Sequence, residues 1–196
     1  MDIINKNIDG GKAFDWGRTS SDYARFRDIY PQEFYDKILQ RNLCISGQKV
    51  LDLGTGTGVH RIMPELARML KDNGRLLLLY MAWLPYEDVI AESSEKLVLK
   101  YNPDWSGAGE TIHAIDIPDC YNKKFQLIYH DEYPIKVHFT RESWHGRMKA
   151  CRGIGASLPD KEIAMWEKEH KRLLAEIAPE EFDVLHYGAM AELKKI

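Results

Sequence analysis

Residues 49–58 read KVLDLGTGTG, and this stretch decides the fold that the sequence predicts. The first half, residues 49–53, is a short apolar run typical of a buried parallel strand. The second half is a turn in which glycine permits positive φ angles and a close approach of the backbone to a ligand. Helically spaced apolar residues follow over about 61–71, and the free N–H groups of a helix start favour an anionic or polar ligand. We therefore expect a strand, a ligand-binding loop and a helix.

The segments on either side of this stretch complete an α/β pattern. Residues 75–81 are apolar after Arg75 and predict a strand buried on both faces. Strand, helix and strand then form a right-handed βαβ unit with a parallel sheet. Residues 182–193 alternate and predict an antiparallel final strand. The remaining expected elements are helices over about 20–27, from Pro31 onward, 87–100, 141–151 and 161–177, a short helix within 111–122, and a strand over 125–139 that is broken at Pro134.

Length and composition limit the classes of partner. The chain has 196 residues, of which 44% are hydrophobic, and this suits a single domain with its own core. The net charge of -3 leaves no basic surplus for a nucleic acid. The longest apolar run, 76–85, has about half the length that spans a bilayer, and the N-terminus has no signal-peptide pattern. We expect a cytoplasmic protein with no nucleic-acid or membrane partner.

Cysteine and histidine spacing argues against a metal site. The three cysteines, Cys44, Cys120 and Cys151, are far apart and form no CxxC pair. We expect reduced thiols rather than a disulfide framework. The seven histidines show no ligand spacing such as HxxxH. The sequence therefore predicts that the chain binds no metal.

The spacing of the glycines separates three kinds of nucleotide-binding loop. The loop is G-x-G-x-G, preceded by Asp52. Val59 stands where a dinucleotide fingerprint requires glycine, so a nicotinamide-dependent oxidoreductase is disfavoured. The Gly-Lys-Ser/Thr ending of a phosphate-binding P-loop is also absent.

Residues 50–59 resemble motif I of the class I S-adenosylmethionine-dependent methyltransferases. The likeness covers nearly the whole chain: FDWG at 14–17 with Tyr23, Arg25 and Tyr30-Pro31 resembles an N-terminal cap, and 64–77 resembles a late helix–turn–strand segment. The resemblance implies a Rossmann-like sheet, S-adenosylmethionine as cofactor and a small-molecule methyl acceptor. Because the sulfonium methyl is already activated, positioning is the main task of the protein. The family therefore needs no invariant base, and the catalytic residues are unknown.

The resemblance also implies site residues. His145 and Arg152 belong to a C-terminal segment that faces the substrate in the family, where they would contact an acidic substrate. Tyr23 and Arg25 match residues that close over the cofactor, although a solvated helix face explains them nearly as well. The residues implied for cofactor binding are Asp52, Gly54, Thr55, Gly56, Thr57, Gly58, Tyr23 and Arg25.

The resemblance contains a break near residues 60–61. A middle block of roughly 60–70 residues, the size of two βα units, has no counterpart. The acidic residue that binds the ribose, about 20 positions past the loop, is missing with this block. The segment that contacts the adenine is missing as well. The family sheet has the strand order 3-2-1-4-5-7-6, so we expect a truncated Rossmann-like sheet with strands equivalent to 1, 5, 6 and 7 and flanking helices. The expected single domain, 1–196, comprises a helical cap (1–46), the βαβ unit (47–86) and C-terminal helices and antiparallel strands (87–196).

Two functions follow from this break. One is a small-molecule methyltransferase, whose cofactor binding is weak or absent in a monomer. The other is a non-catalytic homologue that self-associates. An unpaired apolar edge at 50–53 invites pairing with another chain, so we expect a homodimer or higher oligomer, which could rebuild the site. The alternative is that the N-terminal helices cover this edge.

Overall fold

The computed structural model describes residues 3–27, 30–53 and 59–196, with only the backbone of 59–61. This part of the chain is mixed α/β, with six α-helices and one sheet of three antiparallel strands. The helices are α1 (Ser20–Phe26), α2 (Gln32–Gln40), α3 (Val59–Met69), α4 (Val89–Tyr101), α5 (Arg141–Lys149) and α6 (Asp160–Ile177). The strands are β1 (Arg75–Trp83), β2 (Phe125–Thr140) and β3 (Glu181–Lys195), and short 3-10 helices cover Asp9–Gly11, Trp16–Thr19 and Asp119–Lys123.

The sheet has the order β1-β3-β2, so the last strand of the chain is central. The Leu84 N–H donates to the Leu185 carbonyl at 2.9 Å, and the Lys195 N–H donates to the Gly74 carbonyl at 2.9 Å. These bonds join the start of one strand to the end of the other, which makes β1 and β3 antiparallel. The Arg141 N–H donates to the Glu180 carbonyl and the Ile196 N–H donates to the Lys124 carbonyl, both at 3.0 Å. These two bonds make β2 and β3 antiparallel as well. The predicted antiparallel final strand is confirmed.

The predicted strand at residues 49–53 is wrong. These residues form no strand, and Val50, Leu51 and Leu53 are 60%, 61% and 43% exposed. A parallel strand is stable only when neighbouring strands pair with it and helices cover both faces. β1, the nearest strand in sequence, pairs instead with β3. The predicted βαβ unit and its parallel sheet are therefore absent from the described residues.

The two outer strands also differ from their predictions. β1 was expected to be buried on both faces, but Arg75, Leu79 and Tyr80 are exposed because the strand lies at the edge of the sheet. β2 continues through Pro134, where a break was expected. Proline lacks an N–H, and an outer strand tolerates it where that position needs no ladder bond.

Local sequence explains where the helices begin. Asp88 starts α4, because its carboxylate accepts hydrogen bonds from the N–H groups of Ile90 and Ala91, both at 3.0 Å. Thr140 and Ser143 form a capping box at the start of α5. The helices expected over 20–27, after Pro31, and over 61–71, 87–100, 141–151 and 161–177 are confirmed within a few residues. In 111–122, where a short helix was expected, the chain forms only the 3-10 helix Asp119–Lys123.

The chain divides into two compact units. The single domain over residues 1–196 stays a prediction of the sequence. Unit 1 is Met1–Tyr30, Trp83–Thr111 and Lys136–His186, and unit 2 is Pro31–Ala82, Ile112–Ile135 and Tyr187–Ile196. In unit 1, α5 packs against α1 and α6, and α6 also packs against α4. Unit 1 buries four tryptophans: Trp83, Trp105, Trp144 and Trp166. Unit 2 has a core of Met63, Leu66, Ala67, Tyr121, Phe125, Ala191 and Leu193.

Two observations on the described residues concern membrane-spanning helices and disulfide bonds. None of the helices described is long and apolar enough to cross a membrane. The three cysteines are free thiols, of which Cys151 is buried and Cys44 exposed.

Candidate functional site

The predicted cofactor loop cannot be compared with the structure in full. Gly54, Thr55, Gly56, Thr57 and Gly58 lie outside the described residues. Asp52, just before them, is exposed on backbone that belongs to no strand. Binding of S-adenosylmethionine needs a strand that leads into the loop and an acidic group at a strand end. The described residues supply neither at this position.

Tyr23 and Arg25, the other predicted cofactor residues, lie on α1 in unit 1. The Arg25 guanidinium donates to Glu142 at 2.8 Å and lies over the Phe26 ring, 4.8 Å from its centre. Tyr23 is exposed, and the Arg27 guanidinium lies 5.6 Å from the centre of its ring. Arg25 thus pairs with Glu142, which lines a pocket formed by α1, α5 and α6, whereas Arg25 itself is not part of that lining.

Arg152, predicted to contact substrate together with His145, has another role. Its Nη2 donates to the Asp9 carboxylate at 3.1 Å, and the Ser106 N–H donates to the same carboxylate at 2.7 Å. Burial alone would raise the pKa of Asp9, but the Arg152 guanidinium and Ser106 hold it below its usual value. Arg152 therefore joins the N-terminal 3-10 helix to the loop after α4, and it does not line the pocket that contains His145.

His145 lies in the wall of the pocket, which has a volume of about 420 Å³. The residue is 6% exposed, and its Nε2 atom makes no hydrogen bond. The nearest carboxylate oxygen, Oε1 of Glu167, is 3.6 Å away. The lining is Asp22 and Phe26 from α1, Arg141, Glu142, His145, Gly146 and Lys149 from α5, and Glu167, Lys171, Leu174 and Ala175 from α6.

A chain of hydrogen bonds leads from His145 into the interior of unit 1. His145 Nδ1 and His170 Nδ1 are 2.9 Å apart, and His170 Nε2 is 3.1 Å from the Ser94 hydroxyl. The Trp144 indole N–H donates to the same hydroxyl at 3.0 Å. The hydroxyl donates to the Ile90 carbonyl at 2.7 Å. Ser94 and His170 are fully buried, so this series of hydrogen bonds approaches solvent only at His145.

The single proton of Ser94 determines where the other protons lie. With the hydroxyl donating to Ile90, the nearer of its two acceptors, His170 Nε2 carries a proton and donates to Ser94. A neutral imidazole carries one proton, so His170 Nδ1 is an acceptor and His145 Nδ1 is the donor to it. In this arrangement His145 Nε2 is an acceptor, and in the reverse arrangement, in which Ser94 donates to His170, Nε2 carries a proton toward Glu167, 3.6 Å away.

Burial keeps both histidines neutral. It lowers the pKa of His145 to about 4, assisted by the nearby Lys171 ammonium, and lowers the pKa of His170 to about 3. Burial would raise the pKa of Glu167, but Lys149, which donates to it at 3.1 Å, holds it below its usual value. The pocket therefore presents a neutral imidazole beside an ionised carboxylate.

Gly146 shapes the wall of the pocket next to His145. A Cβ atom at this position would overlap the Phe26 ring. Glycine therefore lets the aromatic ring of α1 lie directly against the backbone of α5. The ring forms an apolar surface beside the polar groups of His145 and Glu167.

Of the residues that line the pocket, the sequence singled out His145 alone as a site residue. His145 was predicted and lines the pocket, whereas Asp22, Lys149 and Glu167 were not singled out. A signal for His170 was present, because it interrupts the apolar stripe of α6. A histidine on such a stripe needs a buried hydrogen-bond partner, and Ser94 and His145 are its partners.

Comparison with known proteins gives no relative. No family model, curated protein or solved structure matches this chain. Within the described ranges there is also no group of three or more histidine, cysteine, aspartate or glutamate side chains placed to hold a metal ion.

Proposed function

We propose that the chain is a shortened, non-catalytic homologue of the class I S-adenosylmethionine-dependent methyltransferases that binds a small molecule in the pocket of unit 1. The observation that carries the binding function is the pocket itself, with a volume of about 420 Å³ and a wall in which His145 and Glu167 lie beside the Phe26 ring. A concave site of this size that combines apolar side chains with a few polar groups is typical of small-molecule binding.

The order of the strands supports the descent. In the family order 3-2-1-4-5-7-6, the strands that follow the missing block are 5, 7 and 6. The sheet order β1-β3-β2 agrees with 5-7-6, with the last strand of the chain antiparallel between the other two. On this proposal the sheet is the C-terminal remainder of a truncated Rossmann-like methyltransferase sheet.

The proposed lack of catalysis follows from residues 49–53 and from the missing middle block. Residues 49–53 form no strand, and Asp52 is exposed. The groups that would hold the ribose and the adenine have no counterpart. A protein that cannot hold the methyl donor cannot position the sulfonium carbon against an acceptor.

Calorimetry with S-adenosylmethionine and S-adenosylhomocysteine tests this part of the proposal. At ligand concentrations of about 1 mM we expect no binding heat, which corresponds to binding weaker than about -4 kcal/mol. Saturable heat from either ligand would contradict the non-catalytic assignment and favour an active methyltransferase.

Filling the pocket tests the binding function. Ala175 lines the pocket and is exposed, so Ala175→Phe should fill it without disturbing the core. Ala164→Phe is the matched control, because Ala164 is exposed on the same helix and does not line this pocket. We expect a panel of small amines, carboxylates and amino acids to shift the NMR signals of the pocket in the wild type and in Ala164→Phe, but not in Ala175→Phe. A panel without effect on the wild type would contradict the binding function.

A second candidate function, self-association, is favoured by the outer edge of β1. Within the described ranges this edge has no neighbouring strand, and residues 76–83 contain neither a charge nor a proline. Natural proteins protect free edges with such residues, and unprotected edges pair with other chains. The proposed partner is a second copy of the chain, in a homodimer or higher oligomer.

A further inference from the structure

We infer that two copies of the chain pair antiparallel along the outer edge of β1, about a two-fold axis at Leu79, and join their sheets into one. This inference rests on the self-association proposed above, and it adds the direction and the register of the pairing. It follows from three features of β1: the direction of its backbone groups, the side chains on its two faces and the charges beside its ends.

The hydrogen bonds between β1 and β3 determine which backbone groups of β1 face outward. The Leu84 N–H donates to the Leu185 carbonyl, and the Gly74 carbonyl accepts from the Lys195 N–H. The segments 74–84 and 185–195 are equally long, so the pairing has one register without a net bulge. Because backbone groups of successive residues point to opposite sides of a strand, the even-numbered residues of β1 bond to β3. The residues that direct their N–H and C=O groups to the outer edge are 75, 77, 79, 81 and 83.

A second copy of β1 can satisfy all of these outward groups. Among the described residues no strand lies beside this edge. A two-fold axis at Leu79 places residue 77 opposite residue 81 of the second copy, and it pairs β1 over its full length of nine residues. A slip of two residues shortens the ladder, and in one direction it places Pro85, which has no N–H, opposite Arg75. Both copies use the same surface in such a pair, so association stops at the dimer.

The side chains of β1 match in this register. On one face Leu77 lies opposite Met81 of the second copy, and on the other face Leu78 lies opposite Tyr80 of the second copy. Leu79 and Tyr80 are 43% and 40% exposed in a single copy, so the pairing removes apolar surface from water. Arg75, the one charged residue of the strand, is at the end of the ladder and is paired with Glu192.

The charges beside the strand favour a second copy in the antiparallel direction. Lys71 lies four residues before β1 and Glu87 four residues after it. Both are exposed, and among the described residues neither has an ion-pair partner, whereas Asp72 pairs with Lys195 at 3.7 Å. The antiparallel pair brings Lys71 of each copy to the end at which Glu87 of the other copy lies. A parallel pair would bring like charges together.

Single cysteines test the register by cross-linking. Opposite Cα atoms in a hydrogen-bonded antiparallel pair are about 5.5 Å apart, within the reach of a disulfide. In a Cys44→Ser background, which removes the exposed native thiol, Leu79→Cys should form a covalent dimer with oxidised glutathione. Leu77→Cys should not, because residue 77 of the second copy is at least about 13 Å away along the strand. The double variant Leu77→Cys/Met81→Cys should restore the cross-link.

The matched control for these variants lies on the other outer strand. Leu127 on β2 is 43% exposed, like Leu79, and Leu127→Cys in the same background should give no covalent dimer. Gel electrophoresis without a reducing agent measures the dimer in every variant, and light scattering measures the mass before oxidation.

Amide hydrogen exchange gives a second measurement, on the wild-type chain. The amides of residues 77 and 81 should exchange at least about tenfold more slowly in the wild type than in Leu79→Lys, which separates the two edges. The amides of residues 78 and 80 bond to β3 and should be protected in both proteins. NMR spectroscopy resolves the individual amides.

The outcomes separate this inference from self-association itself. A wild type of monomer mass contradicts both. An oligomer in which Leu77→Cys and Leu79→Cys each cross-link contradicts the antiparallel direction, because parallel strands in register place every residue opposite itself. An oligomer with no cross-link at residue 79 and rapid exchange at residues 77 and 81 contradicts the β1 interface and leaves self-association intact. If the double variant does not fold, the two single variants and the amide exchange still decide.

Discussion

Unit 1 and unit 2 treat their large apolar side chains differently. Unit 1 buries four tryptophans around a hydrogen-bonded interior, whereas unit 2 leaves Val50, Leu51 and Leu53 between 43% and 61% exposed. Apolar side chains gain about 25 cal/mol for each Å² removed from water, so an exposed run of them is a cost that a further layer of chain would remove. Unit 1 exposes single apolar side chains too, among them Tyr86 at 71% and Val89 at 65%, but in unit 2 three of them lie within four residues of the chain.

The buried polar groups differ as well, because unit 1 contains a neutral histidine network in addition to its buried ion pair of Asp9 with Arg152. In unit 1, His145, His170 and Ser94 are buried in neutral forms that hydrogen-bond to one another. In unit 2, the fully buried Glu192 is paired with Arg41 and Arg75, which are themselves partly exposed. Neutral networks tolerate deep burial better than charges do. The four predictions that follow test this comparison of the two units.

Truncation of the central tryptophan of unit 1 should have the largest effect. Trp144 is fully buried, donates to Ser94 and packs edge-on against Phe139 at 5.0 Å between ring centres. Trp144→Ala should lower the free energy of unfolding by about 3–5 kcal/mol, because it leaves a cavity and removes a hydrogen-bond donor. Urea unfolding followed by far-UV circular dichroism measures the loss. The control Trp16→Ala, at a 44% exposed site, should cost less than about 1 kcal/mol, and equal losses would contradict a tightly packed unit 1.

The neutral histidine pair predicts a pH dependence of stability. Burial lowers the pKa of His145 to about 4 and that of His170 to about 3, below the unfolded value of 6.5. Between these values the unfolded chain binds more protons, so stability is full above pH 6.5 and falls as the pH decreases towards about 4. From pH 7 to pH 5 we expect each histidine to remove about 2 kcal/mol from the free energy of unfolding. Glu167 and Lys149, which face the pair, keep their charges in this window.

Glutamine variants isolate this contribution. His170→Gln should reduce the loss of stability between pH 7 and pH 5 by about half, as measured by urea unfolding at both pH values. His130→Gln is the control, because the His130 side chain is 56% exposed and pairs only with Glu132 among the contacts that the structure gives it. It should leave the pH dependence as it is in the wild type. A wild type that is equally stable at both pH values would contradict the neutral buried pair.

Glu192 in unit 2 should have a smaller effect on stability. Its carboxylate is fully buried and accepts from Arg41 Nε at 3.0 Å and from Arg75. Glu192→Gln removes the charge, but the two guanidinium groups are 34% and 42% exposed and can return to water. We expect a loss of about 1–2 kcal/mol in urea unfolding. Glu65→Gln, which breaks an exposed pair with Arg68, should leave the free energy of unfolding nearly unchanged. A cost for Glu192→Gln as small as that of Glu65→Gln would remove the distinction between the two pairs.

The sequence predicted the elements of unit 1 because their signals are local. A capping Asp88, the Thr140–Ser143 box and the apolar stripe of α6 each fix a helix without reference to the rest of the chain. The strand at 49–53 could not be predicted in the same way. An apolar run becomes a strand only if a partner strand is present, and partnership depends on distant segments. The local pattern at 49–53 was typical of a strand that has its neighbours, and the described chain does not provide them.

The candidate site shows the same limit. His145 was found from its segment, but its environment depends on three helices that are far apart in sequence. Only the packing of α1, α5 and α6 brings Asp22, Lys149 and Glu167 to one pocket. Arg152, three residues after the end of α5, was grouped with His145 because both belong to one segment that resembles a substrate-facing region, yet it contacts Asp9. Proximity in sequence predicts a shared site only within one face of one element.

The two outer strands of unit 2 provide the last prediction, in which stability changes least. Leu79 on β1 and Leu127 on β2 are both 43% exposed, so a lysine at either position should change the free energy of unfolding by less than about 0.5 kcal/mol. The strands differ in protection. β2 contains Asp131, Glu132 and Pro134, and Lys37 of α2 donates to Asp131 at 2.9 Å. Residues 76–83 of β1 contain no such group.

Light scattering then separates the two edges by mass. If copies of the chain associate along β1, Leu79→Lys should convert the wild-type oligomer to a monomer, because a buried lysine at a paired edge costs more than the pairing gains. Leu127→Lys should leave the mass unchanged, because charges and a proline already protect that edge. A wild type of monomer mass would contradict self-association, and loss of the oligomer in Leu127→Lys alone would move the interface to β2. If the wild type is a monomer, the exposed edge of β1 is covered in another way. The comparison of unit 2 with unit 1 then rests on Val50, Leu51 and Leu53 alone.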